Sequence, residues 1–436
     1  MLKVKKLLAS KSELKKRLIN GFAWSIGGAV VSRGFTLAAS IIVSRSIGAE
    51  GFGELGILNS TVNMLGEMAG LGIGLAATKF LSQYRENDPA KASRILSLNA
   101  IMTLLMSLTM GLMLYVFSSD VAIHLFNNER LSVLLEIASV TLFFSALNGG
   151  IVGALAGFEA FRHIAKLNFI VGITSFVLQF SLVFEYGLKG VVIALLLSQV
   201  INFIIGLIFL KYNMRNTGIV FTSEELSSEV HKILMFNFPA LLAALMVIPV
   251  NWGVNVLLVN QQNGFVEMGF FNAANQWKMA LLFIPTALGN VILPILSSIA
   301  GGGDAERYKK IFYYNILLNF FMAISMIFGV LLLSDIIMSS YGEAFSDQSM
   351  VLNVLIIVAG LMAVNNVIGH AISSLNKMWT GFAFNLMWAA AMAVSAYILC
   401  PEYGALGLAM ANLIAYGLHT VWQFTYVRYN IDKIVV

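Results

Sequence analysis

The chain has one cysteine, six prolines and five histidines in 436 residues, and only 11% of its residues are charged. A single thiol, Cys400, excludes an intramolecular disulfide and any cysteine-cluster metal site. Soluble domains carry about 25% charged residues, so the shortage of charge excludes an ordinary water-exposed surface. No glycine-rich phosphate loop, no His/Cys/Asp metal spacing and no Ser-His-Asp set is found along the chain. A cofactor, a metal centre and an enzymatic activity are therefore not expected.

What fills the chain instead is apolar. Hydrophobic residues make up 58% of it, and its mean hydropathy is +0.83. Apolar runs of about 18–25 residues recur throughout, the length an α-helix needs to cross a bilayer, whereas porin strands are shorter and alternate. About twelve spans can be drawn. They are 21–44, 54–79, 95–117, 132–158, 167–184 and 191–210, then 235–259, 270–298, 311–333, 351–374, 380–399 and 405–427. The expectation is an all-α polytopic membrane protein. Segments between spans are too short to fold as catalytic or nucleotide-binding domains. Energy from any source other than an ion or substrate gradient would come from another chain.

The same pattern occurs twice. Tyr186-Gly187-Leu188-Lys189-Gly190 returns as Tyr403-Gly404-Ala405-Leu406-Gly407, each followed by an apolar run. Asn168 returns as Asn385, Gly53 as Gly269, Asn59 as Asn275 and Phe22 as Phe238, all at an offset of 216 or 217. Duplicated bundles are the architecture of transporters, with substrate held between the halves near the midplane. The division expected is a basic amphipathic segment 1–20, a first lobe 21–210, a linker 211–232, a second lobe 233–427 and a tail 428–436.

Charge suggests an orientation. With the N-terminus cytoplasmic, 22 of the 27 lysines and arginines fall in inside segments, which predicts both termini in the cytoplasm of a multi-pass cell-membrane protein. The net charge of +5 is thus an orientation signal, and no nucleic-acid partner is expected. Segment 1–20, with Leu7, Leu14 and Leu18 among seven basic residues, suits an anionic lipid surface.

Helix breakers are unevenly spread. Pro239, Pro249, Pro285 and Pro294 lie in the seventh and eighth spans, whereas the matching first and second spans are glycine-rich. Interrupted helices at corresponding places in two halves point to a central pathway, so the four prolines are candidate hinges.

Charge inside the spans narrows the site. Arg33 lies about 18 Å inward from Arg45, and Glu67 about 21 Å inward from Gly53, at 1.5 Å per residue. A charge at that depth needs a partner or a wet cavity. Two readings meet that need: a structural ion pair, or an anion-binding Arg33 with Glu67 as its modulator or a proton-coupling group. Asn59, Asn63 and Glu67 recur every four residues as a stripe, as do Asn251 and Asn255 beside Pro249. Asn272, Asn275, Gln276 and Lys278 form a patch at the matching depth of the eighth span. Asn365, Asn366 and His370 add polarity to the tenth, with no role assigned to the histidine.

Ser44-Arg45-Ser46-Ile47-Gly48-Ala49-Glu50-Gly51-Phe52-Gly53 resembles the "R-x-LG-x-x-x-FG" turn of polysaccharide flippases, with Ile47 in place of Leu. Leu71-Gly72-Ile73-Gly74 through Ala77-Thr78-Lys79-Phe80 is similar to that family's second-helix end. Gly157–Phe161, Tyr341–Phe345 and Tyr403–Gly407 also resemble it, in the expected order along nearly the whole chain. The resemblance implies the oligosaccharide (Wzx-like) flippase branch of the superfamily that also holds the MATE drug exporters and the lipid II flippases. It implies twelve helices in two pseudo-symmetric six-helix lobes. The implied activity is transfer of an undecaprenyl-pyrophosphate-linked sugar unit between leaflets by alternating access, for O-antigen, capsule or exopolysaccharide assembly. Two departures separate the chain from relatives. Lipid II flippases usually have fourteen spans, and cation exporters commonly carry a carboxylate in the first helix, where Arg33 stands.

The substrate expected is an anionic lipid-linked oligosaccharide. Arg33 and Lys278 would attract its pyrophosphate, because a guanidinium fork donates two parallel bonds and an ammonium supplies a compact charge. Asn59, Asn63, Asn251, Asn255, Asn275 and Gln276 would meet sugar hydroxyls, and Glu67 would tune the site or couple it to protons or sodium. Other polysaccharide-assembly proteins are possible partners. The rival readings are an ion-coupled drug or metabolite antiporter of the same fold, and a membrane glycan polymerase or ligase.

Overall fold

The computed structural model describes the backbone of residues 2–70, 72–301, 304–375 and 377–434. The side chains of 1–26, 28, 29, 228, 232, 234, 236–245, 287, 288, 290, 291, 294, 301, 378 and 432–434 lie outside the described set, and with them the basic segment 1–20, Pro239 and Pro294. Among the described residues there is no strand. The first half holds α1 (Leu2–Gly70), α2 (Ile73–Tyr84), α3 (Pro89–Val116), a single turn α4 (Ser118–Asp120), α5 (Leu131–Gly157) and α6 (Phe161–Thr217). The second holds α7 (Ser227–Val259), α8 (Gly264–Gly301), α9 (Ala305–Ser340), α10 (Ser349–Ser374) and α11 (Met378–Ile434).

Seven helices among the described residues are long and apolar enough to cross a membrane. Three of them are far too long for one crossing: α6, with 57 residues, would reach about 85 Å, against a hydrocarbon core of about 30 Å. Each of the three breaks at a glycine with positive φ, namely Gly48 (74°), Gly187 (55°) and Gly404 (52°). A side chain is disfavoured there, so the chain turns and re-enters the membrane. Dividing these three and adding α7 and α8 gives the twelve crossings of an all-α polytopic membrane protein.

The repeat is physical as well as textual. Gly187 and Gly404 are repeat mates with matching conformations, ψ being −135° and −125°. A β-carbon on Gly190 would overlap the carbonyl oxygen of Leu182, and one on Gly407 that of Leu399. Asp88 caps α3 by accepting the Lys91 N–H at 3.0 Å, and Asp304, 216 residues on, caps α9 by accepting that of Arg307 at 3.0 Å. Such caps satisfy an N–H that the helix itself leaves unpaired.

Packing explains how the lobes stand. One apolar core joins both halves around the glycine turns, with Val43, Phe52, Phe126 and Leu135 of the first and Phe270, Tyr341, Phe345 and Leu352 of the second. Toward the other end the core divides. Phe80, Leu96, Leu155 and Leu210 form a core of the first lobe, whereas Tyr308, Phe312, Ile368 and Val427 form one of the second. The lobes are therefore sealed at the glycine-turn end and have separate interiors at the end rich in lysine and arginine.

Two hydrogen bonds lock the sealed end, and they are related by the repeat. Ser44 Oγ donates to the Tyr341 carbonyl at 2.9 Å, and Asn260 Nδ2 donates to the Leu125 carbonyl at 2.7 Å. Residue 260 is 44 plus 216, and residue 341 is 125 plus 216. Arg45 Nε adds a bond to the Ser340 carbonyl at 2.7 Å, and Asn127 Nδ2 donates to Asn260 Oδ1.

Helix covers most of the expected linker, leaving 218–226 between α6 and α7. This stretch is strapped to the first lobe. The N–H groups of Val220 and Thr222 donate to Ser93 and Ser97 at 3.1 and 2.8 Å, and Arg94 meets Glu225 at 2.8 Å. The first turns of α7 follow it, since Lys91 pairs with Glu229 at 3.4 Å and Ile233 is buried in the first-lobe core.

Candidate functional site: the cleft between the lobes

The second half of α1 faces α7 and α8 across a cleft of about 270 Å³. Asn59, Asn63 and Glu67 line one wall, Asn251 and Asn255 another, and Asn272 and Asn275 a third. Four-residue spacing stacks the first three on one helix face, which is why they reach the same space. Repeat mates Asn59 and Asn275 enter it from opposite lobes.

Some of these groups hold the walls. Asn255 Nδ2 donates to Ser60 Oγ at 2.8 Å, and Trp252 Nε1 donates to Thr61 Oγ1 at 3.0 Å, tying α7 to α1. Asn272 Nδ2 donates to the Phe52 carbonyl at 3.4 Å, and Asn251 Nδ2 to its own helix at the Val247 carbonyl, 3.0 Å. The other groups are unspent. Among the described residues, no hydrogen bond or ion pair engages the side chains of Asn59, Asn63, Glu67 or Asn275, and Asn63 and Glu67 are exposed to the cleft. A carboxylate and amides at membrane depth that no described residue engages call for water or a ligand.

The cationic candidates, Arg33 and Lys278, do not line the cleft. Lys278 is 7% exposed, three residues past Asn275 on α8, and has no anionic partner among the described residues. Arg33 is exposed and seven residues before Ser40, hence on the same helix face as Ser40 and Ser44. Those two hydroxyls bond Tyr341 of the other lobe, so Arg33 stands on the interlobe side of α1, beyond the contact. It forms no ion pair with Glu67. The structural-pair reading of these two charges is therefore not realised. Equal depth on neighbouring helices did not bring their side chains together.

Gln276 does not line the cleft. Its Oε1 is buried without a partner on another face of α8, because adjacent helical residues point about 100° apart. The patch 272–278 thus divides between faces. Pro249 and Pro285 sit in uninterrupted helix, whereas the chain's sharp breaks fall at glycines. Ser60, Thr61 and Trp252 are absent from the set drawn from sequence. A hydroxyl on an apolar helix normally bonds its own preceding turn, as Thr61 also does at Ile57, so nothing marked these as cross-lobe groups.

Residues 18–300 match the model of a family described as "Polysaccharide biosynthesis protein". The chain is 24% identical over 400 residues to the EPS I polysaccharide export inner membrane protein EpsE of Ralstonia solanacearum, covering 90% of this chain and 89% of that one. It is 24% identical over 297 residues to the lipid III flippase of Escherichia coli (strain K12), covering 65% and 68%. Among solved structures, the fold is similar to an inward-facing multidrug resistance MATE family transporter of the MOP superfamily. That likeness has a TM-score of 0.77 at 15% identity, over 92% of this chain and 94% of the other.

Proposed function

This chain belongs to the polysaccharide biosynthesis protein family, and on that footing we propose that it is a flippase for a lipid-linked, anionic oligosaccharide. The observation that carries the reading is the cleft: unpartnered amides and a carboxylate, drawn from both lobes, inside an otherwise apolar bundle. Amides donate and accept, as sugar hydroxyls require. The sugar head crosses along this hydrated path while its undecaprenyl tail stays in the surrounding lipid. Arg33 and Lys278 attract the pyrophosphate, and Glu67 takes the coupling proton or sodium ion.

Orientation supplies the direction. Lys79, Arg85, Lys91, Arg94, Arg307, Lys309 and Lys310 crowd the end where the lobes have separate cores, and such an excess faces the cytoplasm. On this reading the end at which the lobes have separate cores faces the side on which the sugar is built. Parting of the Ser44–Tyr341 and Asn260–Leu125 contacts, with closure of the basic end, completes alternating access.

The test is deletion of the gene in its native host, with measurement of surface glycan and of lipid-linked intermediates. Loss of surface glycan with intermediates trapped on the inner leaflet supports the reading. Normal surface glycan overturns it. Altered glycan chain length alone points to a polymerase, and a drug-resistance defect alone to an antiporter.

A further inference from the structure

The second lobe contains a cavity that the cleft does not include. It has a volume of about 400 Å³ and lies between α10 and the two halves of α11. Its walls include Asn366, His370, Asn385, Tyr416, His419 and Gln423. Cavities of roughly 300–1,000 Å³ are the size that small ligands use.

The repeat provides an internal control for this cavity. Asn148 Nδ2 donates to the Gln199 carbonyl at 3.0 Å in the first lobe, and Asn365 Nδ2 to the Tyr416 carbonyl at 3.5 Å in the second. Both residues of the second bond lie 217 positions after those of the first, which fixes the structural equivalence. On that register Asn366, His370 and Gln423 correspond to Gly149, Gly153 and Gly206.

Two of these three first-lobe glycines serve close packing, whereas Gly149 faces open space. A β-carbon on Gly153 would stand 2.6 Å from the Gly74 α-carbon, and one on Gly206 would stand 3.1 Å from Ile151. Three glycines have thus been exchanged for an amide, an imidazole and a second amide. Of the three, Gln423 is buried, and a merely structural copy has no use for a buried amide there, because buried polar groups cost free energy unless they are bonded. His419 and Gln423 bond each other at 2.9 Å and are 8% and 4% exposed, yet His419 Nδ1 and Gln423 Oε1 have no partner among the described residues.

The lining also states what it would hold. No carboxylate, lysine or arginine is among its residues, so neither a calcium or magnesium ion nor a phosphate is matched. Amides, imidazoles and a phenol both donate and accept, which suits hydroxyl groups. The rings of Phe382 and Tyr416 offer apolar surface for the carbon–hydrogen faces of a pyranose. Asn366 Nδ2 reaches Thr286 Oγ1 of α8 at 3.5 Å. That residue is eleven positions beyond Asn275, so α8 leads from the cleft, past Lys278, to the cavity.

From this we infer that the cavity in the second lobe is a subsite for a neutral sugar residue, the non-anionic part of the head group whose phosphates stay near Arg33 and Lys278. The inference rests on the flippase reading and adds to it where the glycan sits.

A photo-crosslinking experiment in the native host separates the two. p-Benzoylphenylalanine is placed at Phe382 in the cavity, Phe271 in the cleft and Phe321 on the exposed face of α9. After irradiation, glycan on the purified protein is detected by periodate oxidation and hydrazide labelling. Adducts at 382 and 271 but not 321 are expected. Asn385→Leu and Asn366→Leu should each lower the adduct at 382 about tenfold, the effect of leaving a buried polar partner unmet, while the adduct at 271 persists. An adduct at 271 without one at 382 overturns the subsite and leaves the flippase standing. Absence of glycan at both positions, with full-length protein in the membrane, overturns the flippase reading itself.

Discussion

Gly53 and Gly269, equivalent residues of the two halves, pack backbone to backbone across the interface. A β-carbon on Gly53 would overlap the carbonyl oxygen of Phe265, and one on Gly269 that of Ala49. The molecule's internal dyad therefore passes between them, and the lobes meet there backbone against backbone. Overlap with backbone cannot be relieved by a rotamer change. Overpacking of a tight contact costs about 1–3 kcal/mol. Gly53→Ala and Gly269→Ala should each lower the sealed population at least about tenfold. Thiol-reagent labelling of a cysteine at Asn127 should rise accordingly in either variant.

The paired interlobe bonds are weaker and separable. Asn260→Ala removes bonds to Leu125 and Asn127, and Ser44→Ala removes the bond to Tyr341. Each net hydrogen bond contributes about 1 kcal/mol. Both variants should melt earlier in detergent than the parent protein, with Asn260→Ala showing the larger fall. Equal melting temperatures in all three proteins would remove the latches from the account.

Arg33 and Glu67 stand apart, so exchanging them should not restore function. Export should fail in Arg33→Ala, in Glu67→Gln and in the double variant Arg33→Glu with Glu67→Arg, while the protein still reaches the membrane. Surface glycan near the parental level in the double variant would show that the two charges act on each other.

Lys278 is buried with no anion beside it among the described residues, a costly arrangement for an ammonium group. Lys278→Met keeps the aliphatic stem and removes the charge. Thermal stability should rise by the equivalent of about 1 kcal/mol or more, and export should fall. A stability gain with unchanged export would assign the lysine no part in handling the substrate.

Asn59→Leu and Asn275→Leu remove amides that hold nothing together. Neither should lower stability by more than about 0.5 kcal/mol, and both should reduce the export rate. Asn255→Leu should cost both, because it also breaks the bond to Ser60.

Much of the architecture is legible in the sequence. The offset of 216 or 217 is carried by glycine turns, by helix caps and by contact points, which are local requirements that sequence records directly. Azimuth was harder to read than depth. Counting residues placed Arg33 and Glu67 at similar height, yet height does not say which way a side chain points. The same limitation separated Gln276 from Asn275. Prolines drew attention to α7 and α8, whereas the breaks fall at Gly48, Gly187 and Gly404, because only a glycine readily combines a positive φ with the ψ found there. The cavity in the second lobe had a signal in the register all along. Asn366, His370 and Gln423 stand where Gly149, Gly153 and Gly206 do, but self-comparison looks for likeness, and there the copies differ.

The strap over 218–226 has a consequence for dividing the protein experimentally. Leu226, Val230 and Ile233 pack into the first lobe although they follow its last helix. Two fragments expressed from separate genes and severed at this loop would leave the upstream piece with an open apolar seam. The downstream piece would carry the plug for it, so neither half is a self-sufficient module, and reassembly of the pair would begin there.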